Sequence, residues 1–171
     1  VLASGLPGFS MVGLLETAVS EARDRVGSAI RNAGFAIPNR RTIVSLSPAD
    51  LRKSGAHYDL PIAVALLAAA GACQPANLPR LLFAGELSLA GQVLPVPGAL
   101  IMAIAAAEAG LDGVVVPAAN AREAMLAGAT RVVPVATLAE VVAFVNDAVV
   151  PAPPPARPEA ELFAHPVDFA E

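Results

Sequence analysis

Three residues of the types that make a nucleophile, a base and an orienting acid stand close together in the sequence: Ser54, His57 and Asp59. A serine hydroxyl is a weak nucleophile until a neighbouring base takes its proton, so such a set is worth testing. The spacing counts against it, because the members of a triad come as a rule from separate elements that converge in space. Ser54 beside Lys53 has the same defect, since neighbours on an extended chain point to opposite sides. Asp59 has a simpler use. Ahead of Leu60 and Pro61 it stands where a helix N-cap belongs, its carboxylate accepting first-turn N–H groups at the positive end of the helix dipole. It is therefore read as a structural cap, His57 as a polar loop residue or a hydrogen-bonded structural one, and no residue is assigned a catalytic role.

Metal and nucleotide chemistry find no better support. The histidines are His57 and His165 and the lone cysteine is Cys73; none has a partner at metal-ligand spacing, and a single cysteine excludes an internal disulfide. No Gly-x-x-x-x-Gly-Lys-Ser/Thr loop and no Gly-x-Gly-x-x-Gly occurs, and Lys53 is the only lysine. No metal and no cofactor is expected within these residues.

One charge feature stands out. The net charge is −4, yet residues 23 to 53 carry seven basic residues against two acidic ones, a local +5. Arg40, Arg41, Arg52 and Lys53 fall in segments read as loops, where they could reach phosphates, and they are the candidate nucleic-acid-binding residues. A solvated helix face followed by a polar loop would leave the same record.

These residues need a scaffold. A chain of 171 residues is long enough for one domain with a real core. It is 56% hydrophobic but only 4% aromatic, without tryptophan, which predicts a core of closely approaching alanine-rich helices. The longest apolar runs, 60–73 and 99–107, fall short of the roughly 20 residues of a membrane span. No membrane partner is expected. No secretory signal opens the chain, and a lone cysteine suits a reducing compartment, so the expected location is cytoplasmic.

Apolar residues at three- and four-residue steps from Leu15 to Ala33 predict an amphipathic helix stopping at Gly34. Gly5-Leu6-Pro7-Gly8-Phe9 is turn chemistry between short extended pieces. A strand over 42–46, a loop over 47–58 and a helix over 60–70 follow. Beyond residue 80 come a strand over 81–84, a hairpin over 86–96, a helix over 99–109 and a strand over 113–116. Asn120 opens a further helix, 131–135 is a strand, and Thr137 with Glu140 forms a capping box for a helix ending near Ala148. Strands alternating with helices across short loops predict α/β layers, an α+β fold with a mixed sheet packed with helices. Pro151, Pro153, Pro154, Pro155 and Pro158 then mark residues 150–171 as a semi-rigid linker after a domain over 1–149.

Phe83 to Gly98 (FAGELSLAGQVLPVPG) resembles a strand-turn-strand segment of the Lon proteolytic domain and of the Lon-like domain of RadA. Val114 to Asn120 is similar to the strand-to-helix element that follows in both. Gly5-Leu6-Pro7-Gly8-Phe9, Ser20 to Val26 (SEARDRV), Ser47 to Lys53 (SPADLRK) and Tyr58 to Ala63 (YDLPIA) occur in that order. The succession resembles the N-terminal domain of the ComM/YifB, or Mg-chelatase ChlI-like, family of AAA+ ATPases, over about residues 1 to 148. The resemblance implies a Lon-like fold and a chain cut at both ends, lacking a first strand or two and leading at Asp168 to Glu171 into an absent AAA+ module. That module would bind ATP and magnesium. The implied parent is a hexameric helicase promoting DNA branch migration in natural transformation, with this domain assembling the ring or guiding DNA. The alternatives are a pure oligomerisation or interaction module and an accessory of a Mg-chelatase-like ATPase. Lon uses a Ser-Lys dyad. By resemblance the serine falls at Asp59 or a near neighbour and the lysine at Leu100, and no lysine follows Lys53. The expected outcome is a domain without proteolytic chemistry.

Overall fold

The computed structural model describes residues 2–3, 8–74, 78, 80–128 and 131–146. The Gly5–Pro7 part of the expected opening turn, the domain boundary at 149 and the Pro-rich linker lie outside the described residues. The expected amphipathic helix forms as α1 (Thr17–Asn32). Its stripe of Val19, Ala22, Val26, Ala29 and Ile30 is fully buried, and the chain turns away at Gly34 in a left-handed conformation.

Strands β1 (Leu2–Ala3), β2 (Gly8–Val12) and β3 (Arg41–Ser45) form one sheet in the order β1-β3-β2, with β1 antiparallel and β2 parallel to β3. Strands β4 (Leu81–Phe83), β7 (Gly113–Pro117) and β8 (Arg131–Val135) form a second, all-parallel sheet in the order β4-β7-β8. Between β4 and β7 the chain makes an antiparallel hairpin of β5 (Glu86–Leu87) and β6 (Val93–Leu94). The helices after α1 are α2 (Asp59–Ala69), α3 (Ala99–Glu108), α4 (Ala121–Met125) and α5 (Leu138–Val145). The α+β class expected from the sequence is the one adopted, with its strands divided between two small sheets and a hairpin.

A parallel sheet needs cover on both faces, and β7 is buried along its whole length. Because side chains alternate along a strand, Val115 points to one side and Val114 and Val116 to the other. Val115 joins the main core with α1, α2, α5 and Phe9 of β2. Val114 and Val116 meet Ala99, Ala103 and Ala106 of α3 and Ala124 of α4 in a second, alanine-rich cluster. The layers therefore run from the β1-β3-β2 sheet, through α1, α2 and α5, to the parallel sheet, and finally to α3 and α4. Leu60, Leu66 and Leu67 of α2 sit at the centre of the main core, each worth about 1.5–3 kcal/mol of burial. Gly85 brings the hairpin against α2: a Cβ there would lie 2.8 Å from Val93 Cγ1 and 3.3 Å from Leu60.

Thr137 caps α5 as expected, its hydroxyl accepting from Glu140 N at 3.2 Å. Glu140 reaches back one residue further than a capping box would place it, to Ala136 N at 2.7 Å.

Candidate functional site

The start of α2 is where the sequence concentrates its polar side chains. A single 3-10 turn, Ala56–Tyr58, runs straight into the helix, so Tyr58 occupies the N-cap position and Asp59 is the first helical residue. This corrects the reading of Asp59 as a cap: its side chain bonds no first-turn N–H. The physical reason is that Leu60 N–H already donates to Gly85 O at 3.0 Å, and a stronger partner claims the carboxylate. Arg25 of α1 holds it in a two-pronged clasp, Nε to Oδ2 at 2.8 Å and Nη2 to Oδ1 at 3.0 Å. Leu87 N–H of β5 donates to Oδ2 at 3.2 Å. Asp59 is 0% exposed. A buried carboxylate is tolerated only when paired and hydrogen-bonded, and here it ties α1, α2 and the hairpin together. The hydrogen bond from Arg25 to Asp59 raises the guanidinium pKa above its ordinary value, against the opposing effect of burial.

The clasp leaves no carboxylate to orient His57. That imidazole is half-buried, with its ring 4.2 Å from the Tyr58 ring. Burial lowers its pKa, with the Asp59 charge pulling the other way. Ser54 is exposed, and among the described residues no hydrogen bond joins Ser54, His57 and Asp59 to one another. Leu100 lies in the first turn of α3, its N–H donating to Glu123 Oε1 at 3.2 Å. The α2 counterpart is as bare: from Gly55 to Ala72 the sequence holds no serine, threonine or cysteine.

The four basic candidates separate into two groups. Lys53 is 3% exposed, and its ammonium is spent inside its own loop, donating to the carbonyls of Pro48 and Leu51. Its backbone is pinned as well, with N–H to Leu14 O at 2.9 Å and its carbonyl accepting from Glu16 N–H at 3.0 Å. It cannot reach a phosphate, which corrects its assignment to a nucleic-acid surface. Arg52 is exposed and pairs with Glu16 at 3.3 Å, so its charge is partly answered. Arg40 and Arg41 are exposed, and among the described residues neither guanidinium has an ion-pair partner. Arg41 pairs in register with Gly8 at one end of β2, whereas Lys53 bridges Leu15 beyond the other end. The pairs Arg40/Arg41 and Arg52/Lys53 are thus separated by the length of the strand, about 13 Å or more at 3.3 Å per residue.

Two polar arrangements carry no clear sequence signal. One is the Arg25–Asp59 clasp, whose single clue is that Arg25 sits within the apolar stripe of α1, three residues after Ala22 and four before Ala29. The other is Asn120, expected to open a helix. It occupies the N-cap of α4 without a cap bond, and its buried amide accepts from Val96 N at 2.9 Å and donates to Val96 O at 2.8 Å. Asn120 Nδ2 also donates to Glu123 at 3.2 Å, so Asn120 and Glu123 together fix the start of α3. Among the described residues no cluster of three His, Cys, Asp or Glu side chains could hold a metal. Among the described residues no helix is long and apolar enough to cross a membrane.

Residues 1–120 match the family model described as subunit ChlI of Mg-chelatase. A protein called YifB from Salmonella typhimurium is 50% identical over 122 residues, 71% of this chain and 24% of that protein. The chain belongs to the ComM/YifB, Mg-chelatase-like family. Competence protein ComM of Haemophilus influenzae is 43% identical over 145 residues, covering 85% of this chain and 28% of its own length. A Mycobacterium tuberculosis protein is 44% identical over 139 residues, again 28% of its length. The chain therefore spans about a quarter of the length of these relatives.

Proposed function

We propose that this chain is a protease-silent, Lon-like domain of a ComM-type AAA+ ATPase that works on DNA, and that its task there is assembly rather than chemistry. ATP and magnesium belong, on this reading, to the part of the relatives' length beyond the match, and the location is cytoplasmic. Silence follows from the two helix starts. A dyad needs a hydroxyl and an amine within reach of each other, whereas α2 begins with a clasped Asp59 and α3 carries Leu100 in its first turn.

The observation that carries the assembly role is on the outermost layer. Ile101 and Ile104 of α3, with Met125 and Leu126 at the end of α4, are large apolar side chains left in water. A cluster of this kind on a helix pair marks a protein contact. Sedimentation velocity of this chain over a wide concentration range tests it: reversible self-association supports an assembly module, and a strict monomer at every concentration rejects it.

DNA guidance is the second reading, favoured by exposed Arg40 and Arg41 and by the likeness to ComM. It keeps two of the four basic candidates. A titration with double-stranded DNA at low and moderate salt tests it, and no binding at low salt rejects it.

A further inference from the structure

We infer that Arg31 joins Arg40 and Arg41 in one basic surface that takes the phosphate backbone of duplex DNA without reading its sequence. The inference rests on the DNA-guidance reading and names the residues and the mode of contact. Helix α1 packs on β2, and its end leads through residues 33–40 into β3, which runs parallel to β2. The last turn of α1 therefore comes to the end of the sheet at which both strands begin, where Arg41 pairs with Gly8. Arg31 stands in that last turn and is exposed. Gly27, one turn earlier, leaves room for it: a Cβ there would lie 3.6 Å from Arg31 Nη1 and 3.9 Å from Ile37 Cδ1. The Arg31 guanidinium and the segment that carries Arg40 thus share the space over one glycine.

Unanswered charge selects the partner. Elsewhere arginines have partners: Arg25 clasps Asp59, Arg52 faces Glu16, Arg80 faces Asp112, and Arg131 lies 5.3 Å from the centre of the Phe144 ring. Among the described residues no ion pair engages Arg31, Arg40 or Arg41. The sequence holds no acidic residue before Glu16 and none between Asp24 and Asp50. Asp24, the nearest acid on α1, precedes Arg31 by two turns, about 10 Å along the axis. The hairpin tip that meets α1 here, through Asn32 Nδ2 donating to Leu89 O at 2.6 Å, is uncharged from Leu87 to Gly98. Three guanidiniums with no acid beside them fit a polyanion. Because that tip is tied down on α1, among the described residues neither a helix nor a ribbon stands out from this end to enter a groove. The contact is therefore to phosphates, which position a protein on DNA without specifying sequence.

The test is fluorescence anisotropy of this chain, and of variants checked by circular dichroism for native folding, with two labelled duplexes of unrelated sequence. Three phosphate contacts predict a slope of log affinity against log salt of about −2.7, a loss of about fortyfold between about 50 and 200 mM salt. Arg31→Gln is expected to reduce that loss to about twelvefold on both duplexes. Arg31→Lys keeps the charge and should leave the loss at about fortyfold, as should Arg23→Gln, which lies about 12 Å back along α1. An Arg31 that only complements the C-terminal end of the helix dipole would move stability and leave the slope alone. A slope untouched by Arg31→Gln, or lowered as much by Arg23→Gln, overturns the three-arginine surface, while a response to the Arg40 and Arg41 replacements keeps the guidance reading. A preference of more than about tenfold for one duplex overturns contact through the backbone alone. No binding by the parent chain at low salt overturns the guidance reading itself.

Discussion

Replacing Asp59 by alanine removes three hydrogen bonds at once, two from Arg25 and one from Leu87 N–H. Leu87 is fully buried, so its N–H finds no water, and an unsatisfied buried donor costs about 1–3 kcal/mol. Breaking a buried ion pair from one side costs about 3–5 kcal/mol. The side chain of Arg25 is 22% exposed and has Glu21 at 3.7 Å, which places Asp59→Ala toward the low end, about 3–4 kcal/mol in all. At roughly 2–4 °C per kcal/mol for a domain of this size, the melting temperature falls by about 10 °C. Arg25→Met is worse, about 4–5 kcal/mol, because the orphan is then a carboxylate with no exposure. The double replacement Arg25→Met with Asp59→Ala strands neither charge, so it costs less than the two singles together while retaining the Leu87 N–H penalty of about 1–3 kcal/mol. Urea unfolding of the four proteins gives the double-mutant cycle directly. An Asp59 acting only as a helix cap predicts about 1 kcal/mol for Asp59→Ala and next to nothing for Arg25→Met. Two single variants both under 1 kcal/mol, or strictly additive effects, would refute the clasp.

Lys53→Met leaves two loop carbonyls without their charged donor and is expected to cost about 2–3 kcal/mol in urea unfolding, while leaving DNA affinity of the folded chain unchanged; a loss of DNA affinity would return Lys53 to the surface. Arg40→Gln together with Arg41→Gln should leave stability within about 0.5 kcal/mol. If the chain binds DNA through these two residues, the slope of log affinity against log salt shrinks by about 1.8, and an unchanged slope excludes them. His57 has a pKa lowered by burial, so the unfolded chain binds the proton more readily than the folded one. Stability on this account is highest above about pH 6.5, the unfolded value, and declines as pH falls below it. His57→Gln should flatten that part of the stability–pH curve, and an unaltered slope would remove His57 as its source.

The elements beyond residue 80 are legible in the sequence because each is short, periodic and punctuated, and Leu100 falls at a helix start, as the helix expected over 99–109 implies. The site is less legible, for reasons that are physical. Asp59 before Leu60 and Pro61 carries every local mark of a cap, and only Arg25, 34 residues earlier, decides otherwise. Lys53 belongs by type to a polar loop. Its burial follows from pairing with Leu14 and Glu16 across the chain, which no nearby residue announces. The +5 stretch looks continuous in sequence, but the parallel pairing of β2 and β3 carries Arg40 and Arg41 to the opposite end of the sheet from Arg52. Exposure of Ile101 and Leu126 is likewise a matter of layers. α3 and α4 are the last layer, and nothing in the chain covers their outer face among the described residues.

A domain whose helix starts carry no protease dyad has no activated serine. The most direct measurement is covalent labelling of this chain with a fluorophosphonate, read by intact mass and peptide mapping, beside a heat-denatured control. No labelling above that control is expected at any serine. Stoichiometric modification of one serine in the folded chain alone would contradict it.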